Sequence, residues 1–386
     1  MEARKNVSPE FVLGEGALQL VGRYAANLGA RKVFLVTDPG VIAAGWTDRA
    51  CASLQEMGIS VFLFSQVSPN PRDTEVMLGA RLYREEDCDA IVAVGGGSPM
   101  DCAKGIGIVA SNGGNILQYE GVDRIPIPGP PLLCIPTTAG TAADVSQFAI
   151  VNDTSRKVKI AILSKATIPD VALIDPLTAT TMPALLTAAT GMDALVHAIE
   201  AYLSLASSPI TDLHALEAIR LISANLKNAI DHPLDLRYRD PMMLGSLLAG
   251  LAFSNASLGL VHAMAHALGG WMDLPHGECN ALLLAHVVRF NYAAAPQRYL
   301  RVSEAFGLPV QGLPSDAIQE LLLDAIRSLR LSVGLTTGLR DYGVRREDLR
   351  DLAKFAYSDP CLATNPVSPT IEEIEAIYDH ALAAEG

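Results

Sequence analysis

The chain has 386 residues, half of them hydrophobic and 18% charged, which is ample for a sizeable core and excludes a disordered chain. At about 150 residues per domain, the length points to two domains or three. Forty-two acidic against 29 basic residues leave a formal charge of −13, so a nucleic-acid partner, whose phosphates need neutralising, is not expected.

The opening segment, MEARKNVSPEF, has no apolar run leading to a small-residue cleavage site. Cys51, Cys88, Cys102, Cys134, Cys279 and Cys361 are scattered without a CxxC. Both features predict a cytoplasmic protein in a reducing compartment. Lys32–Thr37 reads as a strand followed by a helix near Val41–Met57, and Val61–Phe64 as a second strand followed by a helix over Thr74–Glu86. Asp89–Val94 is a third strand, running straight into Gly95-Gly96-Gly97-Ser98, and Leu132–Ile135 is a fourth. Apolar strands separated by helices predict a parallel sheet covered on both faces.

After Ile174-Asp175-Pro176 the strand-like runs give way to long Ala/Leu/His patterns: Ala184–Ser204, Pro209–Ile230, Pro241–Met272 and Ala281–Tyr292. A last helical region, Ser315–Glu385, is broken at Pro360, Pro366 and Pro369. The expected organisation is therefore an α/β nucleotide-binding domain over residues 1–180 and an all-α metal-binding domain over 181–386. Pro241–Met272 lacks Asp, Glu, Lys and Arg and is long enough to span a bilayer. Its Ser246, Ser254, Asn255, Ser257, His262 and His266 make it a buried core helix pair instead, and no membrane partner is expected.

Two polar loops follow strands. Gly95-Gly96-Gly97-Ser98-Pro99 opens a helix, where bare backbone and free amides can hold a pyrophosphate. It is neither GxGxxG nor a phosphate-binding GxxxxGK[ST] loop, and a plain tight turn fits the glycines equally well. Pro136-Thr137-Thr138-Ala139-Gly140-Thr141 also follows a strand; its plain alternative is a capped helix start with Thr141 or Asp144 in the first turn. Open α/β sheets bind ligands at such strand ends. Asp38, ending the first predicted strand, either accepts from a ribose 2′-hydroxyl, favouring NAD over NADP, or belongs to an Asp-Pro-Gly turn.

Asp193 and His197 stand at i and i+4 on one helix face, and His262 and His266 repeat that spacing. His276 follows in Pro275-His276-Gly277, expected in a loop. One carboxylate and several imidazoles in apolar surroundings are costly unless paired, and a divalent metal satisfies such a set at once. Imidazoles with a carboxylate suit Fe2+ or Zn2+, whereas Ca2+ and Mg2+ prefer oxygen.

The segments GGGSPMDCAKGIGI (95–108), IPTTAGTAADVS (135–146), ATGMDALVHAIEAYLS (189–204), FSNASLGLVHAMAHALGG (253–270) and LPHGECNALLLAHVVRFN (274–291) closely resemble the iron-containing (group III) alcohol dehydrogenases, which have the dehydroquinate synthase-like fold. The resemblance spans essentially the whole chain. It implies four metal ligands, Asp193, His197, His262 and His276, and a proton-relay or substrate-positioning role for His266. For NAD it implies Asp38 at the adenosine ribose, Gly96, Gly97 and Ser98 at the pyrophosphate, and further contacts from Asn70, Thr137, Thr138, Ser146 and Lys159. Phe253 matches an aromatic residue at the substrate pocket. Glu278 and Cys279 depart from the pattern, and an inward Glu278 changes the charge of the pocket.

The implied reaction is reversible oxidation of an alcohol to an aldehyde or ketone, with hydride passing to NAD+. Small primary alcohols or diols are favoured by the apolar Phe253, Leu258, Leu260 and Met264. The family implies Fe2+, while the Irving–Williams order favours Zn2+ on the same donors. A homodimer or larger homo-oligomer is expected. A lyase of the same fold acting on a phosphorylated substrate needs a basic cluster, and 241–272 contains no Lys or Arg.

Overall fold

The computed structural model describes residues 4–156 and 158–383, which fall into two units: 7–182, and 183–383 together with residues 4–6. In the first unit a six-stranded sheet is built from β1 (Glu10–Leu13), β2 (Lys32–Val36), β3 (Ser60–Phe64), β4 (Ala90–Gly95), β6 (Leu132–Pro136) and β9 (Val171–Ile174), in the order β1-β9-β6-β4-β2-β3. Every pairing in it is parallel. Helices α1 (Val21–Asn27), α2 (Pro39–Ala43), α3 (Trp46–Glu56), α4 (Asp73–Glu85) and α5 (Gly97–Asn112) supply the crossovers. The helix expected over Val41–Met57 is thus two helices, parted at Ala44-Gly45.

Alternate residues of the strands face opposite layers. Phe34, Val36, Ile91 and Ala93 pack with Val76, Ala80 and Ile106, from α4 and α5; Val33, Leu35, Ala90, Val92 and Val94 pack with Val21, Ala25, Ala50 and Leu54, from α1 and α3. β4 is buried along its whole length. The chain places β3 on one side of β2 and β4 on the other, so the strand order switches direction beside β2 and β4, where open α/β sheets form a ligand crevice.

A three-stranded sheet was not expected from the sequence. It comprises β5 (Gly121–Val122), β7 (Phe148–Asp153) and β8 (Val158–Leu163), with β7 and β8 antiparallel. The loop at 137–147 therefore leads into a strand, not into the capped helix weighed above. The buried Lys104 of α5 holds that loop: its Nζ donates to the carbonyls of Ser146 (2.9 Å) and Phe148 (2.7 Å) and lies 3.3 Å from Ser146 Oγ.

The second unit is helical. It comprises α6 (Ala184–Leu203), α7 (Pro209–Asp231), α8 (Leu236–Ala256), α9 (Leu260–Met272), α10 (His276–Asn291), α11 (Pro296–Ala305), α12 (Ser315–Ser332), α13 (Leu349–Tyr357) and α14 (Ile371–Ala383). α6 is buried from Thr187 to Leu203. Pro241 lies inside α8, because the Asp235 side chain accepts from Arg237 N and starts the helix earlier. Among the described residues no single helix is long and apolar enough to cross a membrane; α8 and α9 pass that test only together, and they bend by 99°.

Asp101 lies one turn before Lys104. Desolvation pushes its carboxyl from 3.8 up to about 7, against the pull of Lys104. The folded unit thus holds a proton that the unfolded chain releases earlier. Stability from this group is complete below the unfolded value and is lost as the pH rises through about 7. Asp101→Asn, which cannot ionise, is expected to remove that component. The variant's thermal midpoint, relative to wild type, should climb between about pH 5 and about pH 8; parallel profiles count against the assignment.

Candidate metal centre and cofactor loops

α6 presents Asp193, His197 and Glu200 at i, i+4 and i+7, hence on one face. All three are buried, at 1%, 4% and 6% exposure. α9 contributes His262 and His266 one turn apart, and α10 contributes His276, its first residue. The loop expected at His276 is therefore a helix start, with Pro275 as the residue before it. Gly277 permits this placement: a Cβ there would stand 2.4 Å from the Ala189 carbonyl oxygen of α6. Only glycine lets α10 begin so close to α6.

Three imidazole nitrogens converge on one carboxylate oxygen. Asp193 Oδ1 lies 3.8 Å from His197 Nε2, 3.7 Å from His262 Nε2 and 3.7 Å from His276 Nε2. Donors about 2.1 Å from a tetrahedral metal lie about 3.4 Å apart, so these separations suit a cation held among them. Asp193, His262 and His276 bring their donor atoms within 4.8 Å of one another. His197 joins through Asp193 and stacks on His262, with ring centroids 4.6 Å apart. Phe253 covers the other face of His197 at 4.3 Å.

Asn280, one turn after His276, occupies the middle of this set. Its Nδ2 donates to Asp193 Oδ1 at 2.6 Å and lies 3.2 Å from both His262 Nε2 and His276 Nε2. Its Oδ1 is buried without a hydrogen-bond partner. A positive dipole end at the centre and an orphaned oxygen beside it are what a donor set built for a cation leaves. Three imidazoles with one carboxylate match Fe2+ or Zn2+. Burial pushes the Asp193 carboxyl up, but the positive charge available from His197, His276 and His262 around it outweighs this and holds the group far below the usual carboxylate range. Burial likewise pulls His262 down, and the carboxyl groups of Asp193 and Glu200 on either side of the ring outweigh it and draw it above its ordinary value.

His266 turns to a different carboxylate. Its Nδ1 lies 2.8 Å from Asp359 Oδ2, and its ring stacks on His276 at 5.3 Å. Burial raises the Asp359 carboxyl, and the His266 charge and hydrogen bond bring it below its ordinary value. Glu278 accepts a hydrogen bond from the Tyr342 hydroxyl, and Cys279 is fully buried. Glu200 and Asn280 were not singled out from the sequence, although i+7 from Asp193 and i+4 from His276 placed both on the right helix faces.

In the first unit, Asp38, Gly96–Ser98 and Thr137–Thr138 follow β2, β4 and β6, which are neighbours in the sheet. Asp38 is a helix cap: its Oδ1 accepts from Gly40 N (2.8 Å) and Val41 N (3.0 Å). Gly96 begins α5 without any side-chain cap, so the first amides of that helix have no side-chain acceptor there. The two loops touch, since a Cβ on Gly97 would stand 3.0 Å from Thr141 Cγ2. Thr137 N donates to Gly95 O at 2.9 Å. Asn70 and Lys159, far apart in sequence, meet directly, with Lys159 Nζ donating to Asn70 Oδ1 at 2.9 Å. Ser146 is 2% exposed and engaged by Lys104, as a support behind the loop.

Residues 8–176 match the iron-containing alcohol dehydrogenase family, and residues 187–382 match the C-terminal part of the Fe-containing alcohol dehydrogenase family. The 1,3-propanediol dehydrogenase of Klebsiella pneumoniae is 45% identical over 370 residues, 95% of this chain and 96% of that protein. The NAD-dependent methanol dehydrogenase of Bacillus methanolicus is 39% identical over 97% of this chain and 99% of its own length. A crystal structure of a 1,3-propanediol oxidoreductase superposes with a TM-score of 0.96 at 44% identity, covering 98% of this chain and 100% of that one. With both units matched and the likeness running through nearly its whole length, the chain belongs to the iron-containing alcohol dehydrogenase family.

Proposed function

We propose that this alcohol dehydrogenase oxidises small primary alcohols or diols reversibly with NAD+, using a divalent metal, Fe2+ or Zn2+, held by Asp193, His197, His262 and His276. The observation that carries the reading is the convergence of three imidazole nitrogens on Asp193 Oδ1 at 3.7–3.8 Å. Bound there, the metal would supply Lewis acidity that lowers the pKa of an alcohol hydroxyl, and NAD+ would supply the hydride acceptor. His266 is the proton-handling residue. With Nδ1–H donating to Asp359, Nε2 is the nitrogen that exchanges a proton with the substrate hydroxyl or water. Phe253, packed on His197, orders the ligand and excludes water behind it.

On the cofactor side, the uncapped amides at Gly96, Gly97 and Ser98 take the pyrophosphate, with Thr137 and Thr138 beside them. Asn70 and Lys159 act as a pair towards the nicotinamide ribose. Asp38 keeps Oδ2 for the adenosine ribose hydroxyls while Oδ1 caps α2, and its charge repels a 2′-phosphate. The six free cysteines support a reducing, cytoplasmic setting, and the family reading includes a homodimer or larger assembly.

Three outcomes test this. Stripping the protein with chelator under anaerobic conditions should abolish NADH formation from short alcohols and diols, and Fe2+ or Zn2+ should restore it, but not in His262→Ala. Failure of every metal to restore turnover, with NAD+ binding intact, would sink the reading. Asp38→Ser retains the cap for Gly40 and Val41 but removes the charge, so kcat/KM for NADP+ should rise about tenfold or more. Gly277→Ala forces the start of α10 away from Ala189 and carries His276 with it. Zinc affinity, measured by chelator competition, should fall by about tenfold or more, with about 1–3 kcal/mol of stability lost.

A further inference from the structure

We propose that Glu200 is a positioning residue of the metal centre: it fixes which nitrogen of His262 faces the donor set while anchoring the first turn of the helix that carries that histidine. The inference rests on the metal reading above. Glu200 Oε2 accepts from Gly259 N at 3.0 Å, Oε1 accepts from Val261 N at 2.6 Å, and Oε2 lies 2.7 Å from His262 Nδ1. Backbone amides only donate and an ionised carboxylate only accepts. Both oxygens are therefore committed as acceptors, and His262 Nδ1 must carry the proton. In the neutral ring that leaves the Nε2 lone pair on the side of the donor set, 3.2 Å from the Asn280 NH2 group.

The same contacts settle the start of α9. The first amides of a helix lack intrahelical acceptors, and here the residue at the cap is Gly259, which has no side chain to offer. Glu200 supplies acceptors for Gly259 and Val261, and Asn365 Oδ1 accepts from Leu260 N at 3.1 Å. Negative charge is also favoured at a helix N-terminus. Glu200 adds a second buried carboxyl group behind Asp193, and it would act on a bound cation through the His262 ring.

A glutamine cannot reproduce this. Its single oxygen serves one of the two carboxylate positions, and its NH2 group must face a donor at the other. With the NH2 at the Oε2 position, His262 Nδ1 turns acceptor and Nε2 takes the proton, which blocks ligation. With the NH2 at the Oε1 position, it opposes Val261 N–H and pushes the first turn of α9 away.

The test is zinc affinity by chelator competition, set beside the thermal midpoint of the metal-free protein, for wild type, Glu200→Gln and Asn365→Ser. Asn365→Ser loosens the same helix start without touching His262. Glu200→Gln should lose about 10- to 100-fold in zinc affinity, while Asn365→Ser lowers the midpoint and keeps its affinity. Losses that track the fall in midpoint in both variants would reduce Glu200 to a helix cap and overturn the inference. If wild type itself fails to bind zinc, the metal reading falls, and this inference with it. If Glu200→Gln does not fold, metal-free wild type labelled with 15N-histidine decides: a neutral His262 ring protonated at Nδ1 before any metal binds upholds the inference, and protonation at Nε2 overturns it.

Discussion

Everything in the helical unit is organised around one buried carboxylate. Asp193 sits at 1% exposure in the middle of a helix that is apolar for most of its length. An isolated charge there is prohibitively costly, so its surroundings must supply positive potential. They do so from three helices: His197 on its own, His262 on α9 and His276 at the first residue of α10. Each is aimed by a separate device. The i, i+4 spacing aims His197, Glu200 aims His262, and the absence of a side chain at Gly277 lets His276 come close. Asn280 lends an amide dipole from α10 to the same oxygen. Such a set is only half satisfied by its own members, as the orphaned Asn280 oxygen shows, and half-satisfied polar networks are stable only when something completes them.

The first unit is built on a different electrostatic pattern, with few charged groups along its strand ends. Helix-start amides, threonine hydroxyls and bare glycines are arranged along the ends of β2, β4 and β6. The charges present are restrained: Asp38 spends one oxygen on a helix cap, and Lys104 is buried beneath the loop it holds. Dipoles suit a dinucleotide, whose charge is spread over a pyrophosphate and whose sugars need both donors and acceptors. A compact divalent cation needs fixed anionic and imidazole donors instead. The two kinds of site therefore grow from two kinds of backbone, parallel strand ends in one unit and buried helix faces in the other.

This difference also decides what was legible in the sequence. Apolar strands bounded by glycine turns declared themselves, and so did the Asp193–His197 and His262–His266 spacings, because helical period converts directly into a shared face. The β7–β8 hairpin was passed over although its strands, FAIVND and VKIAIL, are six residues each, because no following helix or glycine turn ties them to the alternating strand–helix pattern. Nothing local announces that they pair with each other beside the main sheet. His276 was expected in a loop because Pro275 and Gly277 flank it. In the fold, proline supplies the residue before the helix and glycine the room beside α6. Glu200 and Asn280 were silent for another reason. A glutamate or an asparagine inside a helix is ordinary, and only the tertiary approach of α9 and α10 reveals what each one touches.

The helix carrying His262 and His266 shows how far that tertiary dependence extends. α9 has glycine at its cap, so its start is defined by acceptors from elsewhere: Glu200 of α6, and Asn365, which lies just beyond the short helix Pro360–Thr364. Asp359, at the cap of that short helix, also takes His266. One histidine of α9 is therefore oriented by the helix that carries Asp193, and the other by a segment about a hundred residues further along the chain. A helix with a strong cap of its own would fold sooner and stand alone more readily. It would also set its own starting point, and the two histidines would keep their phase only by coincidence with their partners. Leaving the cap blank makes the registry of α9 depend on the same carboxylate that orients His262, so the geometry of the site and the beginning of the helix are fixed together.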